Sequence, residues 1–170
     1  MSPLLLQTKR LRLTPLSLRQ LERLREREPI DSVLGLPAAE DLLSPPVLKA
    51  LEIKVSRMSS LSELLHPWLT YWLLVLPEGP TGIGLAGFKG APDAGQVEIG
   101  YGISSNYERR GYTTEAVHAL VDWAFTQPSC RVIIAETFRD NLASQRVLQK
   151  TGFQITDEDQ EMLCWERVKA

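Results

Sequence analysis

The pattern of apolar and polar positions near the start of the chain predicts one strand followed by one helix. In the segment 8–13, leucine alternates with polar or basic residues, and this period of two is typical of a strand with one buried face. Ser17 can cap a helix, because its hydroxyl can accept a hydrogen bond from the first helical turn. Leu18, Leu21 and Leu24 follow at regular spacing, which gives this helix an apolar stripe beside a charged, solvated face.

The remaining pattern predicts a mixed α/β (α+β) fold. The proline-punctuated segment 29–46 is the part of the chain whose pattern is least informative. Gly152 marks the end of the last helix, because glycine readily adopts the left-handed conformation there. Further strands are predicted over 69–76, 81–89, 96–103, 131–137, 153–156 and 162–168, and further helices over 47–58, 113–126 and 141–151. This order argues for a single domain over 1–170, with helices on the faces of a mixed sheet.

The segment GIGLAG (82–87) matches the letters of the G-x-G-x-x-G turn that binds a dinucleotide. That turn must close a strand and open a helix. Here the segment follows the turn signal 77–80 and runs into Gly90 and Pro92, which cannot open a helix. We therefore predict that 81–89 is a glycine-rich strand, in which the glycines allow twist or close backbone approach, and that it does not bind NAD.

Composition excludes several classes of function. The chain of 170 residues has 19 basic and 21 acidic side chains, and its formal net charge of -2 does not suit a protein that holds nucleic acid by neutralising phosphates. Three leucines before Gln7 are too few for a signal peptide or a membrane span, so we expect a cytoplasmic protein without a membrane partner. Cys130 and Cys164 lack C-x-x-C spacing, and with two histidines in the chain no metal site is expected.

One strand, loop and helix passage has the context of an anion site. Gly111 stands where a predicted helix begins, and the free backbone N–H groups and the dipole of a helix N-terminus attract anions. Arg109 and Arg110 add positive charge beside it. The simpler alternative is that Thr113 or Thr114 only caps this helix and that the arginines are solvated.

Four segments of the chain carry a resemblance to a known family. They are TKRLRLTPL (8–16), EIGYGI (98–103), ERRGYTTEA (108–116) and DNLASQRVLQKTGF (140–153). Together they resemble the GNAT superfamily of N-acetyltransferases, in particular its branch that acetylates ribosomal-protein N-termini. The last segment is the most specific, because its usual form in the family is N-x-x-S-x-x-V-L-x-K-x-G-F.

The resemblance implies a GNAT fold with acetyl-CoA as the acetyl donor. The central sheet would be mixed and mostly antiparallel, with about six to seven strands, about four flanking helices and a splay between the fourth and fifth strands. Acetyl-CoA would lie in that gap, where an amine attacks its thioester directly. The acceptor would be a protein N-terminus or a small-molecule amine, and a homodimer is one assembly open to the chain.

The phosphate-binding loop of the family corresponds to residues 108–113, with departures from the usual pattern. Glu108 puts a carboxylate beside a diphosphate, and Thr113 replaces a small residue. Arg109 stands where this branch commonly has glycine, and a non-glycine residue at positive φ would be strained. The cofactor contacts that the resemblance implies are Ile103, Ser104, Arg109, Arg110, Gly111, Tyr112, Thr113, Thr114, Asn141 and Ser144.

Acetyl transfer requires a neutral amine, a polarised thioester carbonyl and a departing thiolate. Glu98, on the strand beside the gap, is the candidate base, acting directly or through a water molecule. The alternative is that Glu98 is an exposed strand carboxylate without a role in the reaction. A backbone N–H near Ile103 or Ser104 is the candidate for polarising the carbonyl.

The helix 141–151 lacks the tyrosine that many members of the family use to protonate the thiolate. Leu148 occupies that position, where it would lie near the opening of the gap. Ser144, a second candidate catalytic residue, or Asn141 could instead donate a hydrogen bond to the sulfur or the pantetheine arm. The alternatives are that Asn141 caps its own helix and that Ser144 is a surface residue. The missing tyrosine also leaves a rival function open, a catalytically weak acyl-CoA-binding regulatory module.

Overall fold

An open mixed sheet forms the centre of the computed structural model, which describes residues 3–170. Residues 1 and 2, which belong to the expected domain 1–170, lie outside the described residues. Within 3–170 there are eight strands: β1 (Leu6–Gln7), β2 (Arg12–Pro15), β3 (Tyr71–Leu76), β4 (Thr81–Phe88), β5 (Gln96–Ile103), β6 (Val132–Phe138), β7 (Gln154–Glu158) and β8 (Met162–Val168). Their order across the sheet is β1-β2-β3-β4-β5-β6-β8-β7, and all neighbours are antiparallel except β5 and β6.

Helices cover both faces of this sheet. In the described part of the chain they are α1 (Leu18–Arg25), α2 (Ile30–Leu34), α3 (Pro45–Ser60), α4 (His66–Leu69), α5 (Tyr112–Thr126) and α6 (Leu142–Lys150). One hydrophobic cluster packs α5 and α6 against the sheet, and a second packs α1 and α3 against the opposite face. Among the same residues, no helix has the length and apolarity that crossing a membrane requires.

The first predicted strand is two strands in the structure. A tight turn separates β1 from β2, because the Thr8 N–H donates to the Leu11 carbonyl at 2.9 Å and the Leu11 N–H donates to the Thr8 hydroxyl at 2.9 Å. This division accounts for eight strands instead of six to seven. The short helices α2 and α4 raise the helix count above the expected four, and α4 includes Leu69, so β3 begins two residues later than predicted.

Ser17 caps α1 as predicted. Its hydroxyl accepts from the Gln20 N–H at 3.2 Å, and the Gln20 side chain accepts from the Ser17 N–H at 2.9 Å, which forms a complete capping box. The end of α6 is also as predicted, because Gly152 has a φ of 84° and the N–H of Phe153 donates to the Leu148 carbonyl at 3.0 Å.

The predicted splay in the sheet is confirmed. Strands β5 and β6 form a parallel ladder only over Gln96–Glu98 and Val132–Ile134. Beyond Glu98, β5 continues to pair with β4 as far as Ile103, while β6 pairs with β8 along its whole length. The extra N-terminal strand shifts the numbering, so the gap lies between the fifth and sixth strands.

The segment GIGLAG lies within β4, as the sequence predicted. A Cβ atom on Gly84 would lie 2.7 Å from the carbonyl oxygen of Gly102, and one on Gly87 would lie 2.7 Å from that of Thr70. These positions require glycine because neighbouring backbone approaches too closely for a side chain.

Replacing Gly84 by alanine should destabilise the fold, because neither of the two paired strands can move without disturbing its ladder. We expect Gly84→Ala to lose about 1–3 kcal/mol of unfolding free energy, the usual effect of overpacking a dense site. Gly100→Ala is the matched control on β5, since a Cβ there would meet no atom within 4 Å. Thermal unfolding followed by circular dichroism should show a lower Tm for the first variant only. Equal Tm values for the two variants would contradict the close approach.

Candidate active site

The backbone of β5 presents polar groups to the gap. The Lys89 N–H donates to the Glu98 carbonyl at 2.9 Å, and the Ser104 N–H donates to the Ile83 carbonyl at 2.8 Å. Because bonding directions alternate along an antiparallel strand, the N–H groups of Tyr101 and Ile103 point away from β4, toward the gap. The Ser104 N–H is therefore unavailable for polarising a carbonyl, and of the two expected donors Ile103 remains.

A cavity of about 640 Å³ lies between α3 and the β4–β5 surface, and we call it the α3 pocket. Its floor includes Gly100 and Gly102, at which a Cβ atom would meet nothing within 4 Å. Four apolar residues of α3 line one wall, namely Pro46, Val47, Ala50 and Ile53, and the charged residues Lys54 and Arg57 continue it. Because Tyr101 and Ile103 also line the pocket, β5 borders both the pocket and the gap.

Two polar contacts join the helical side of the α3 pocket to the sheet. At one end, the Asp41 carboxylate accepts from the N–H of Ser105 at 2.9 Å and from its hydroxyl at 3.1 Å. At the other end, Nη1 of Arg57 donates to the Lys89 carbonyl at 2.6 Å. The pocket is therefore bridged at both ends.

The Asp41 contact lies beside a buried hydroxyl. Ser104 is 1% exposed, and its Oγ makes no hydrogen bond of regular geometry with any residue of 3–170. This hydroxyl and the Ser105 N–H hold the pKa of the Asp41 carboxyl below its ordinary value. Asp41 is consequently an anion at neutral pH, and it ties the segment before α3 to the end of β5.

Lys54 of α3 is a buried cation of the pocket wall. Its Nζ donates to the carbonyls of Phe88 at 3.1 Å, Leu69 at 3.3 Å and Thr70 at 3.4 Å, and it lies 4.5 Å from the centre of the Tyr71 ring. Burial, assisted by the charges of nearby basic residues, lowers the pKa of Lys54 to about 8. Sequence analysis did not identify this lysine, although a lysine among the apolar positions of a helix was a visible signal.

Glu98 does not line the α3 pocket but lies on the same side of the sheet, paired with the lining residue Lys89. Side chains two residues apart on a strand share a face, so Glu98 is on the same face of β5 as Gly100 and Gly102. Its carboxylate is 22% exposed and forms an ion pair with Lys89, whose side chain is 60% exposed. The carboxylate is thus held beside the pocket by a partner that remains accessible to water.

Ser144 and Tyr101 meet on the opposite face of β5. The Tyr101 hydroxyl lies 2.9 Å from Oγ of Ser144 and 3.2 Å from the Ser144 carbonyl oxygen, and its single proton can be donated to either atom. Burial raises the pKa of Tyr101 to about 12, so the phenol stays protonated. Sequence analysis named Ser144 but not Tyr101, because these residues are 43 positions apart.

The start of α6 places Asn141 as the helix cap. Its side-chain oxygen accepts from the Ser144 N–H at 3.1 Å, which is the structural alternative considered for this residue. Leu148 does not lie near the opening, and that expectation is wrong: its side chain is fully buried in the core. Leu148 is four residues after Ser144, which rotates it by about 40° around the helix axis. At this angle its side chain packs into the hydrophobic core and is not open to the gap.

The loop before α5 has the geometry of an anion site. Gly111, with a φ of 81°, is the residue preceding the helix, and α5 begins at Tyr112. Tyr112, Thr113 and Thr114 therefore occupy the first helical positions, where backbone N–H groups have no partner within the helix. The alternative that Thr113 or Thr114 caps the helix is wrong.

Arg109 adopts the left-handed conformation, with a φ of 61°. This is the strained geometry that the sequence analysis associated with a non-glycine residue in this position, and such a conformation costs about 1–3 kcal/mol. The departure of this loop from the usual family pattern is therefore visible in its backbone.

A contact network from the β1–β2 turn supports the same loop. The Glu115 carboxylate accepts from the Arg10 N–H at 2.7 Å, from Nε of Arg10 at 2.8 Å and from the Thr8 hydroxyl. Arg10 also donates from Nη1 to the Arg110 carbonyl at 2.8 Å and lies over the Tyr112 ring. Burial opposes ionisation of Glu115, but these hydrogen bonds outweigh it and lower its pKa.

Sequence analysis missed this support, because the partners are 100 or more positions apart and no local pattern connects them.

Among residues 3–170, no group of three or more His, Cys, Asp or Glu side chains is placed so that it could hold a metal ion.

Comparisons with known proteins agree with this arrangement. N-acetyltransferase YjdG of Bacillus subtilis, itself described as uncharacterized, is 35% identical over 95 residues, which cover 55% of this chain and 56% of the relative. The alignment thus spans only about half the length of either protein.

Two solved structures have the same fold. Ribosomal-protein-S5-alanine acetyltransferase from Vibrio fischeri superposes with a TM-score of 0.68 at 15% identity, covering 98% of this chain and 97% of the other. RimL, a ribosomal L7/L12 α-N-protein acetyltransferase solved with coenzyme A, superposes with a TM-score of 0.67 at 14% identity, covering 97% and 98%. At these identities the likeness concerns the fold.

The sequence profile of the Acetyltransferase (GNAT) domain matches residues 10–154. That range includes the splayed strands, the loop before α5 and the whole of α6. With the fold, the gap and this match in agreement, the chain belongs to the GNAT acetyltransferase family.

Proposed function

We propose that this protein transfers an acetyl group from acetyl-CoA to a primary amine bound in the α3 pocket. The observation that carries the proposal is the position of β5, which borders the gap on one side and the pocket on the other. A donor in the gap and an acceptor in the pocket would meet at the edge of one strand. The fold of the family and the acetyltransferase activity for which it is named support this assignment.

The residues around the gap fit an acyl-CoA. The N–H groups of Tyr112, Thr113 and Thr114 form an anion site for the diphosphate at the positive end of the α5 dipole. Arg109 and Arg110 add charge that offsets the carboxylate of Glu108. Gly111 has no side chain that would keep the ligand away from the backbone. A Cβ atom there would also lie only 3.2 Å from the Arg10 guanidinium.

The remaining donor contacts come from β5 and α6. The N–H of Ile103 faces the gap and is the proposed hydrogen-bond donor to the pantetheine arm or the thioester carbonyl. Ser144 is the proposed donor to the departing sulfur, with the Tyr101 hydroxyl donating to Ser144 Oγ so that the serine keeps its own proton for the sulfur. The cap bond of Asn141 uses its oxygen, so its amide NH₂ can still donate to the arm. Ser104 contributes packing to the strand end, because its N–H is already bonded.

The proposed reaction is direct transfer. Acetyl-CoA supplies an activated acyl group as a thioester. The amine nitrogen forms a bond to the carbonyl carbon, the carbon–sulfur bond breaks, and the electron pair leaves on sulfur. Glu98 receives the proton that the amine loses, and a thiolate whose conjugate acid has a pKa of about 8.5 can leave without full protonation.

Glu98 is suited to this role by its place on the pocket side of β5, beside the lining residue Lys89. Its Oε1 is paired with Lys89, and the second oxygen of the carboxylate remains for the amine or an intervening water. This arrangement, with a built pocket beside the gap, favours a transferase over the rival acyl-CoA-binding regulatory module. A cytoplasmic location and a homodimer stay predictions from the sequence.

Two acceptor classes follow from the comparisons and the pocket. The names of the two structural neighbours mention ribosomal proteins, and that of RimL specifies an α-N-protein acetyltransferase, so a protein N-terminus is one class. A small-molecule amine is the other class, because a pocket of about 640 Å³ is within the usual size of small-ligand sites.

The anion site predicts how a charge at position 111 affects CoA binding. Gly111→Asp should weaken CoA binding by about tenfold or more, because a carboxylate would then face the diphosphate. Gly111→Asn is the matched control, since asparagine has the same shape, tolerates positive φ and carries no charge. Isothermal titration calorimetry with CoA measures both. Equal affinities in the two variants, or binding of NAD in place of CoA by the unaltered protein, would refute the assignment.

The assignment of Glu98 predicts a loss of turnover without a loss of donor binding. Glu98→Gln should lower kcat by about 10²- to 10⁴-fold, as expected for a removed general base. Its Kd for CoA should stay within about twofold, because the residue lies on the pocket side of β5. Glu78→Gln, in the exposed turn before β4, is the control for removal of a carboxylate. A kcat that stays unchanged at neutral pH would remove Glu98 from the mechanism.

A further inference from the structure

The α3 pocket has an excess of positive charge at one end. Lys54 and Arg57 of α3 and Lys89 after β4 all line this end, while Asp41 lies at the other. Glu98 is the carboxylate paired with this cluster, and it neutralises Lys89. Two positive charges therefore remain without an acidic partner among the described residues, on a surface that is otherwise largely apolar.

Arg57 is the member of this cluster with the most hydrogen-bond donors left for a ligand. Within 3–170 its guanidinium makes one hydrogen bond, from Nη1 to the Lys89 carbonyl, whereas a guanidinium has five N–H donors. Four donors are thus available at the pocket rim. A planar fork of this kind is well matched to a carboxylate or phosphate group.

Lys54 contributes to the same end by its charge. Its three contacts to backbone carbonyls match the three donors of an ammonium group, so no N–H remains for a ligand. Because the nitrogen is largely buried, its charge is screened less than that of an exposed lysine and favours an anion nearby. Arg57 can therefore bind an anionic group by hydrogen bonds, whereas Lys54 contributes only the electrostatic attraction of its charge.

The length of the pocket limits what can bind there. The Asp41–Ser105 contact bridges one end, and the Arg57–Lys89 contact bridges the other. A peptide lying along the groove would have to pass one of these bridges. A compact ligand with an apolar body can instead lie against the α3 wall, above the glycine floor.

We propose that the acceptor is a small primary amine whose apolar body carries an anionic group, and that Arg57 binds this group. The inference rests on the proposed function, because it names the substrate class of the same pocket. The amine lies beside the gap within reach of the Glu98 carboxylate, and the anionic group lies toward Arg57.

Matched acceptors test the proposal. The probes are 4-(aminomethyl)benzoate, its primary carboxamide and the corresponding phosphonate, which share one amine and one spacer. Thiol release from acetyl-CoA gives kcat and KM for each. We expect at least one of the two anionic acceptors to have a kcat/KM about tenfold or more above that of the carboxamide, as for a charge-assisted hydrogen bond. The better of the two anions identifies carboxylate or phosphate as the preferred group.

Substitution at Arg57 tests the residue. Arg57→Gln should raise KM for the preferred anionic acceptor by about tenfold or more with little change in kcat, and should change KM for the carboxamide much less. Glutamine can still donate to the Lys89 carbonyl, so the bridge at that end of the pocket can persist. Arg57→Lys should recover part of the preference. Lys49→Gln, on an exposed position of α3 that does not line the pocket, is the control and should match the unaltered protein.

Several results would overturn the inference while leaving the proposed function intact. These are equal kcat/KM for anionic and neutral acceptors, an equal loss for both in Arg57→Gln, or turnover confined to peptides. If CoA binds but no amine or peptide releases thiol, the proposed function fails and this inference fails with it. If Arg57→Gln lowers Tm, the carboxamide acceptor separates loss of stability from loss of anion binding. An unchanged KM for the carboxamide shows that the pocket of the variant is intact.

Discussion

The parallel ladder between β5 and β6 has only three residue pairs, and the arrangement of the site depends on where it stops. Beyond Glu98, β5 still pairs with β4 and β6 still pairs with β8, but β5 and β6 no longer pair with each other. Backbone N–H and C=O groups on the inner edge of β5 are then without a sheet partner, and buried or half-buried groups of this kind need water or a ligand. A hydrogen-bonding edge inside the domain is thus created by ending a ladder early, without a dedicated binding loop.

The two sides of this edge are mechanically connected. Asp41 lines the α3 pocket and also holds Ser105, from which the chain continues into the loop before α5. On the far side of that loop, Arg10 holds the Arg110 carbonyl and is itself fixed by Glu115. The loop before α5 is therefore supported from the α3 pocket and from the N-terminal turn. A disturbance of either support would reach the anion site through a few hydrogen bonds.

The sequence was sufficient for features that depend on neighbouring residues. The end of α6 at Gly152, the cap at Ser17 and the strain at Arg109 follow from local backbone requirements, and the structure has all three. The splay was predicted through family resemblance, since no property of a single strand shows where its neighbour leaves it. Features that depend on distant partners were missed, as with Arg10 and Glu115. The error at Leu148 had another cause, because helical spacing gives relative angles on a helix but not which angle faces the core.

The bare floor of the α3 pocket also bears on how this protein could change over generations. At Gly100 and Gly102 a side chain would project into empty space, while the backbone on either side remains in its ladder. Most positions that shape a binding cavity also support the core, so altering selectivity usually lowers stability. Here a single nucleotide change could narrow or reshape the cavity at little thermodynamic expense. Selection for a new acceptor could therefore act on these two codons almost independently of selection for folding.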